Sequence, residues 1–100
     1  MTEAAWRDRF RPLWSQLDTN QAQLDEASRR VRMYRAAVDA STRSIDGEIY
    51  VDREARRQWL EAINEESRIR GLLTADQRAL ADAEEDARRA GAAPGWYRRR

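Results

Sequence analysis

Large apolar side chains recur at every seventh residue over more than a third of the chain, and this repeat constrains the fold more than any other feature. A heptad repeat keeps one apolar seam facing a partner along a gently supercoiled helix. The sequence therefore predicts a long helix whose seam is covered by other helices, and it predicts self-association through that seam. The six residues of this heptad seam are Phe10, Leu17, Leu24, Val31, Val38 and Ile45.

A second series follows the first three residues later each time and completes the inward face. It consists of Leu13, Asn20, Ala27, Tyr34 and Ser41. Asn20 is the polar member, and a buried amide on such a seam can fix the register or the number of partners. Because Asn20 lies near one end, the sequence leaves open whether it is buried or solvated.

The helix boundaries are predicted from breakers and capping residues. Pro12 predicts a start or a kink, which gives a short helix over 3–11 and a long one over 12–45. Asp46-Gly47 predicts a turn, followed by a short extended stretch at 49–51. Asp52 is placed to cap a helix over 53–70, and Gly71 is placed to end it. The spacing from Thr74 to Gln77 predicts a last helix over 75–90, which Gly91 ends.

These elements predict an all-α fold in which the long helix packs with an antiparallel helical pair, as in a coiled coil or helical bundle. Residues 1–91 are predicted to form a single domain, and residues 92–100 a flexible aromatic–basic tail. Hydrophobic residues make up 41% of the chain, but 17 of them are alanine, so few large side chains are available for a core. We therefore expect the chain to complete its core by association, as a homodimer.

Missing residue types exclude several kinds of chemistry. The chain has no cysteine and no histidine, and all 19 basic residues are arginine. Disulfides, thiolate nucleophiles, Cys/His metal sites, imidazole acid–base catalysis and lysine Schiff bases are therefore excluded. No metal and no cofactor are predicted. The sequence also lacks an apolar run of membrane-spanning length and an apolar signal core near Met1, which predicts a cytoplasmic protein.

Two groups of charged residues are candidates for a site. Arginine binds carboxylate or phosphate through two parallel hydrogen bonds, so an arginine cluster can form an anion site. Acidic clusters can bind Mg²⁺ or act as acid and base. Opposite charges lie one helical turn away in both groups, so ion pairs on a solvated surface are the favoured interpretation. The arginines are Arg29, Arg30, Arg32 and Arg35; the acidic residues are Glu61, Glu65, Glu66, Glu84, Glu85 and Asp86.

The C-terminal tail is the predicted partner-binding site. Its residues are Trp96, Tyr97, Arg98, Arg99 and Arg100. They can anchor in a pocket of a partner protein, or stack on bases and contact phosphates. Alternatively, Trp96 folds back on the bundle and the arginines stay solvated. A protein is favoured over nucleic acid, because residues 46–97 carry eight arginines against twelve acidic residues and would repel phosphate.

The segment from Gly47 to Asp52, with the later Gly71-Leu72 pair, is similar in spacing to the all-helical chorismate mutases. That family has a long first helix, a loop, a second helix beginning near an aspartate, and a third helix. The resemblance implies an enzyme that binds a small anionic substrate among arginines and a lysine in a helical pocket. This chain has no lysine, and its predicted third helix is rich in alanine.

The sequence favours a small non-enzymatic protein–protein interaction module, an adaptor or regulatory subunit that acts through helical faces and the tail. Two alternatives stay open. One is an arginine-based helical enzyme, which requires Arg32 or Arg35 to line an enclosed polar pocket. The other is a nucleic-acid accessory protein, which requires salt-sensitive binding through Arg98, Arg99 and Arg100.

Overall fold

Two long helices make up most of the protein, and a short β-hairpin joins them. The computed structural model describes residues 1–99, so Arg100 lies outside the described residues. The helices pack against each other, which confirms the all-α class. In chain order the elements are α1 (Glu3–Ser41), β1 (Arg43–Ile45), β2 (Glu48–Tyr50), α2 (Arg53–Arg89) and a 3-10 helix (Pro94–Trp96).

Helix α1 runs without interruption through Pro12, so the predicted break at that position is wrong. A proline inside a helix removes one backbone hydrogen bond and costs about 3 kcal/mol. Apolar side chains on both sides of it, including Phe10, Leu13 and Trp14, pack in one core and hold the two segments in a single helix. Tertiary packing therefore outweighs the local cost.

Helix α1 ends at Ser41, four residues before the predicted end. The hydroxyls of Ser41 and Thr42 both donate to the carbonyl oxygen of Val38, at 2.9 and 2.8 Å. The backbone N–H of Thr42 donates to the same oxygen at 3.0 Å, so the two hydroxyls add to the last backbone bond of the helix and offer the chain a local alternative to a further turn. Ile45 consequently lies in β1 and not in the helix, so its assignment to the helical seam is wrong.

The hairpin is closed by Asp46 and Gly47, which confirms the predicted turn. Both residues have positive φ, 52° and 81°, as a two-residue type I′ turn requires. β1 and β2 pair antiparallel, with Ser44 opposite Ile49. The predicted extended stretch is therefore present, but shifted by one residue to Glu48–Tyr50.

Helix α2 begins after Asp52, whose carboxylate accepts a hydrogen bond from the backbone N–H of Ala55 at 3.0 Å. This confirms the predicted cap. The predicted end at Gly71 and the new start at Thr74 are both wrong, because α2 continues to Arg89 and no third long helix follows among the described residues. The core contacts of Leu80, Ala83 and Ala87 extend the packed face beyond Gly71.

Gly91 ends α2 as predicted. Its φ of 75° lies in the left-handed region that favours glycine. The N–H of Ala92 then donates to the carbonyl oxygen of Ala87 at 3.0 Å, as in a Schellman cap.

The chain forms two compact units. The first, here called the aromatic unit, contains residues 1–21 and the chain from Gly71 onward; the second, the hairpin unit, contains Ala22–Arg70. Both helices run through both units, so this division does not test the single domain predicted over 1–91, which stays a prediction.

The aromatic unit has a core in which Phe10 is completely buried. Its ring lies 5.4 Å from that of Tyr97, in a stacked arrangement, and 5.6 Å from that of Trp14. Such aromatic pairs contribute about 0.5–1.5 kcal/mol beyond the burial of their area. The other buried members of this core are Trp6, Ala83 and Ala87.

Candidate partner-binding surfaces

The heptad seam is continuous, but its residues have different environments. Phe10 is buried, whereas Leu17, Leu24, Val31 and Val38 are half-buried. Helix α1 is unbroken around Asn20, and neither Leu24 nor Val31 faces open solvent. The helical part of the seam therefore lies inward, as predicted. Self-association through it stays a prediction.

Asn20 is only 3% exposed, so the buried alternative is correct and the solvated one is wrong. Its Nδ2 donates to the carboxylate of Asp76 on α2, at 2.5 Å. A buried amide without this acceptor would cost about 1–3 kcal/mol. The hydrogen bond therefore favours one register between the two helix segments of the aromatic unit. Sliding one segment along the other would separate Asn20 from Asp76 and leave the amide without its acceptor.

The aromatic half of the tail packs on the protein's own core. Trp96 and Tyr97 are half-buried there, which agrees with the alternative in which Trp96 folds back. Residues 92–97 thus differ from the predicted flexible tail, because the stacking of Tyr97 on Phe10 and the 3-10 turn after Ala93 order them. Arg99 pairs with Asp18, and Arg98 is exposed. Partner binding by the tail stays a prediction.

The arginine cluster on α1 forms surface ion pairs. Arg29 and Arg30 both pair with Glu26, at 2.7 and 3.3 Å. The hydrogen bond from Arg29 is the largest cause that lowers the pKa of Glu26, to about 2. Arg32 and Arg35 are both exposed, so they do not meet the condition that the arginine-based enzyme requires.

The acidic clusters on α2 are also paired with arginines one turn away. A hydrogen bond from Arg68 lowers the pKa of Glu65, and one from Arg88 lowers the pKa of Glu85. A general acid needs a pKa raised towards neutrality, and these shifts have the opposite direction. Their geometry is that of a helix surface stabilised by i,i+3 and i,i+4 pairs.

An open groove of about 760 Å³ lies within the hairpin unit. The small side chains of Ala27 and Ala62 lie along it, and ion-paired residues such as Glu26 and Glu65 line its sides. Arg30 lines this groove, whereas Arg32 and Arg35 do not. Tyr34 and Ile69 also line the groove, so alanines, two larger side chains and ion pairs share its wall.

The hairpin is an exposed apolar surface of this unit, and sequence reasoning missed it as a site. Ile49 is 73% exposed, Ile45 55%, Tyr50 51% and Val51 37%. The pairing register places Ile45 and Tyr50 on one face of the sheet and Ile49 on the other. The signal available in the sequence was the pair of isoleucines, Ile45 and Ile49, close to the Asp46-Gly47 turn.

Comparisons with protein-family models, with curated proteins and with solved structures find no match to this chain. The layout of the helical chorismate mutases is likewise not reproduced, because α2 passes through Gly71 as one helix. Within residues 1–99, neither long helix contains a stretch apolar enough to cross a bilayer.

Proposed function

We propose that the chain is a small non-enzymatic protein–protein interaction module whose principal contact surface is the β-hairpin. The observation that carries the proposal is the exposure of Ile45, Ile49 and Tyr50 on both faces of a two-stranded sheet. A hydrophobic surface of this kind, standing apart from a core, is typical of a surface that a partner covers.

The strand edges support the same proposal. A sheet of two strands has two edges, and an edge strand can pair with an added strand of another chain. The strands are short and carry the charges of Arg43 and Glu48, but no proline and no bulge interrupts the backbone groups along their edges. An isolated hairpin is also only marginally stable in water, so a partner strand would stabilise it.

The remaining charged surface favours binding over catalysis. The carboxyl groups of Glu26, Glu54, Glu65 and Glu85 have lowered pKa values because arginines donate hydrogen bonds to them. Such carboxylates stay ionised and paired near neutral pH. A homodimer is one form that the proposed association can take, with a second copy as the partner.

Site-directed photo-crosslinking tests the proposal. A benzoylphenylalanine at position 49 is expected to form a covalent adduct in cells, whereas the same residue at the exposed position 78 of α2 is not. Replacing Ile45 and Tyr50 by serine should remove the adduct at position 49 and leave the helical circular dichroism unchanged, because both side chains are more than half exposed and lie outside the helices.

The mass of the adduct distinguishes the partners. An adduct of twice the chain's mass identifies a homodimer, which light scattering of the purified chain must then reproduce. Adducts of equal yield at positions 49 and 78, or an adduct that persists after the serine substitutions, would refute the hairpin as the contact surface.

A further inference from the structure

An open depression of about 450 Å³ lies in the aromatic unit and shares no lining residue with the groove of the hairpin unit. Four arginines and one acidic residue line it, so the lining itself carries a net positive charge. The remaining two residues supply an indole ring and a hydroxyl. The lining consists of Arg7, Arg11, Trp14, Ser15, Asp18, Arg98 and Arg99.

The fold builds this depression from distant parts of the sequence. Arg7, Arg11 and Trp14 recur at helical spacing and share one face of α1. The docked tail then brings the other two arginines to that face. Arg7 donates to the carbonyl oxygen of Gly95 at 3.4 Å, and Arg99 pairs with Asp18.

Arg11, Arg98 and Arg99 are exposed and available to an anion, whereas Arg7 is held by Glu3 at 2.6 Å. Arg11 is 73% exposed and pairs with Asp8 at 3.2 Å, and the Arg99–Asp18 pair is also solvated. Exposed ion pairs of this kind contribute about 0.2–1 kcal/mol each, so a dianion can replace them. No acidic side chain of residues 1–99 pairs with Arg98.

We propose that this depression binds a phosphate monoester. Guanidinium groups donate paired hydrogen bonds to phosphate oxygens, and several of them approaching from α1 and from the tail suit a tetrahedral dianion better than a planar carboxylate. The Ser15 hydroxyl is an additional donor. The indole of Trp14 provides an apolar wall for the group that carries the phosphate.

The inference is independent of the hairpin contact, because no residue is shared between the two surfaces. The phosphate can belong to a free nucleotide or to a phosphorylated side chain, and both present the same terminal group.

Titration followed by amide chemical shifts tests the proposal with phenyl phosphate as the probe and benzoate as its carboxylate counterpart. Phenyl phosphate is expected to shift the amides around Trp14 and Arg98 and to bind at least tenfold more tightly than benzoate. Replacing Arg11 and Arg98 by glutamine should weaken its binding at least tenfold. The matched variant Arg32→Gln/Arg35→Gln has the same net charge and should bind as the unchanged protein does.

Each alternative result has a definite meaning. Equal weakening in both double variants would show attraction by net charge alone and overturn the proposal, as would equal affinity for benzoate or no response to phenyl phosphate. All four replaced arginines are exposed, so we expect both variants to fold. Thermal unfolding of each variant checks this. Adenosine monophosphate and a phosphoserine peptide, titrated in parallel, identify the source of the phosphate by the tighter binding.

Discussion

The same two helices build an aromatic unit with a packed core and a hairpin unit with an open groove. In the aromatic unit, Phe10 is 0% exposed. In the hairpin unit the buried apolar residues are Ala27, Ala62 and Ile69, and the seam residues Leu24 and Val31 are only half-buried. A regular heptad repeat on one helix therefore does not determine how well that helix is covered.

The difference arises from what lies opposite the seam. In the aromatic unit the small residues Ala83 and Ala87 leave room for the ring of Phe10, and the tail covers that ring from another side with Tyr97. In the hairpin unit alanine occurs on both helices, at 27 and 62, and no third segment covers the space. Alanines next to a large buried ring belong to a closed core, whereas the alanines of the hairpin unit line a groove that no third segment covers.

The comparison predicts the largest loss of stability for the replacement of Phe10, the buried ring of the aromatic unit. Phe10→Ala is expected to lower the free energy of unfolding by about 3–5 kcal/mol, because it removes a fully buried ring and leaves a cavity. Leu24→Ala on the same helix removes a half-buried side chain and should cost less than half as much. Urea unfolding followed by circular dichroism measures both, and equal losses would contradict the contrast between the units.

The second prediction adds side-chain atoms to each unit instead of removing them, by replacing an alanine with leucine. Ala87→Leu is expected to destabilise the protein by about 1–3 kcal/mol, since Ala87 is completely buried beside Phe10 and has no space for a larger side chain. Ala62→Leu places the same atoms against the groove and should leave stability unchanged or raise it. The same urea experiment compares them. Similar destabilisation by both variants would mean that the groove is not usable space.

The smallest predicted effect concerns two glycines of the aromatic unit. Gly71 lies inside α2, and a Cβ added there meets no atom within 4 Å, so Gly71→Ala should stabilise the helix by about 0.5–1 kcal/mol. Gly91→Ala should instead destabilise the protein, because its φ of 75° is strained for alanine. The midpoint of thermal unfolding should rise for Gly71→Ala and fall for Gly91→Ala. A stabilising Gly91→Ala would refute the assignment of that cap.

Local chemistry made part of the fold predictable. The Asp46-Gly47 turn and the Asp52 cap depend on a few neighbouring residues, and the structure confirms them; it also confirms a helix through the heptad seam as far as Val38. The predicted breaks at Pro12 and Gly71 are wrong because long-range packing outweighs the local cost of a proline or a glycine inside a helix. The candidate surfaces were less predictable still. The cationic depression requires Arg11 and Arg98 to meet through the docking of Tyr97, and no spacing rule encodes that contact.

The stacking of Tyr97 on Phe10 has a consequence for the order of folding during synthesis. The core that contains Phe10 joins the beginning of the chain to residues near its end, so the ribosome must have made residue 97 before that core is complete. Residues 22–70 are contiguous and can fold earlier, because closing a short loop costs less entropy than closing a long one. We therefore expect Trp6 and Phe10 to stay uncovered on the nascent chain until residue 97 has been translated.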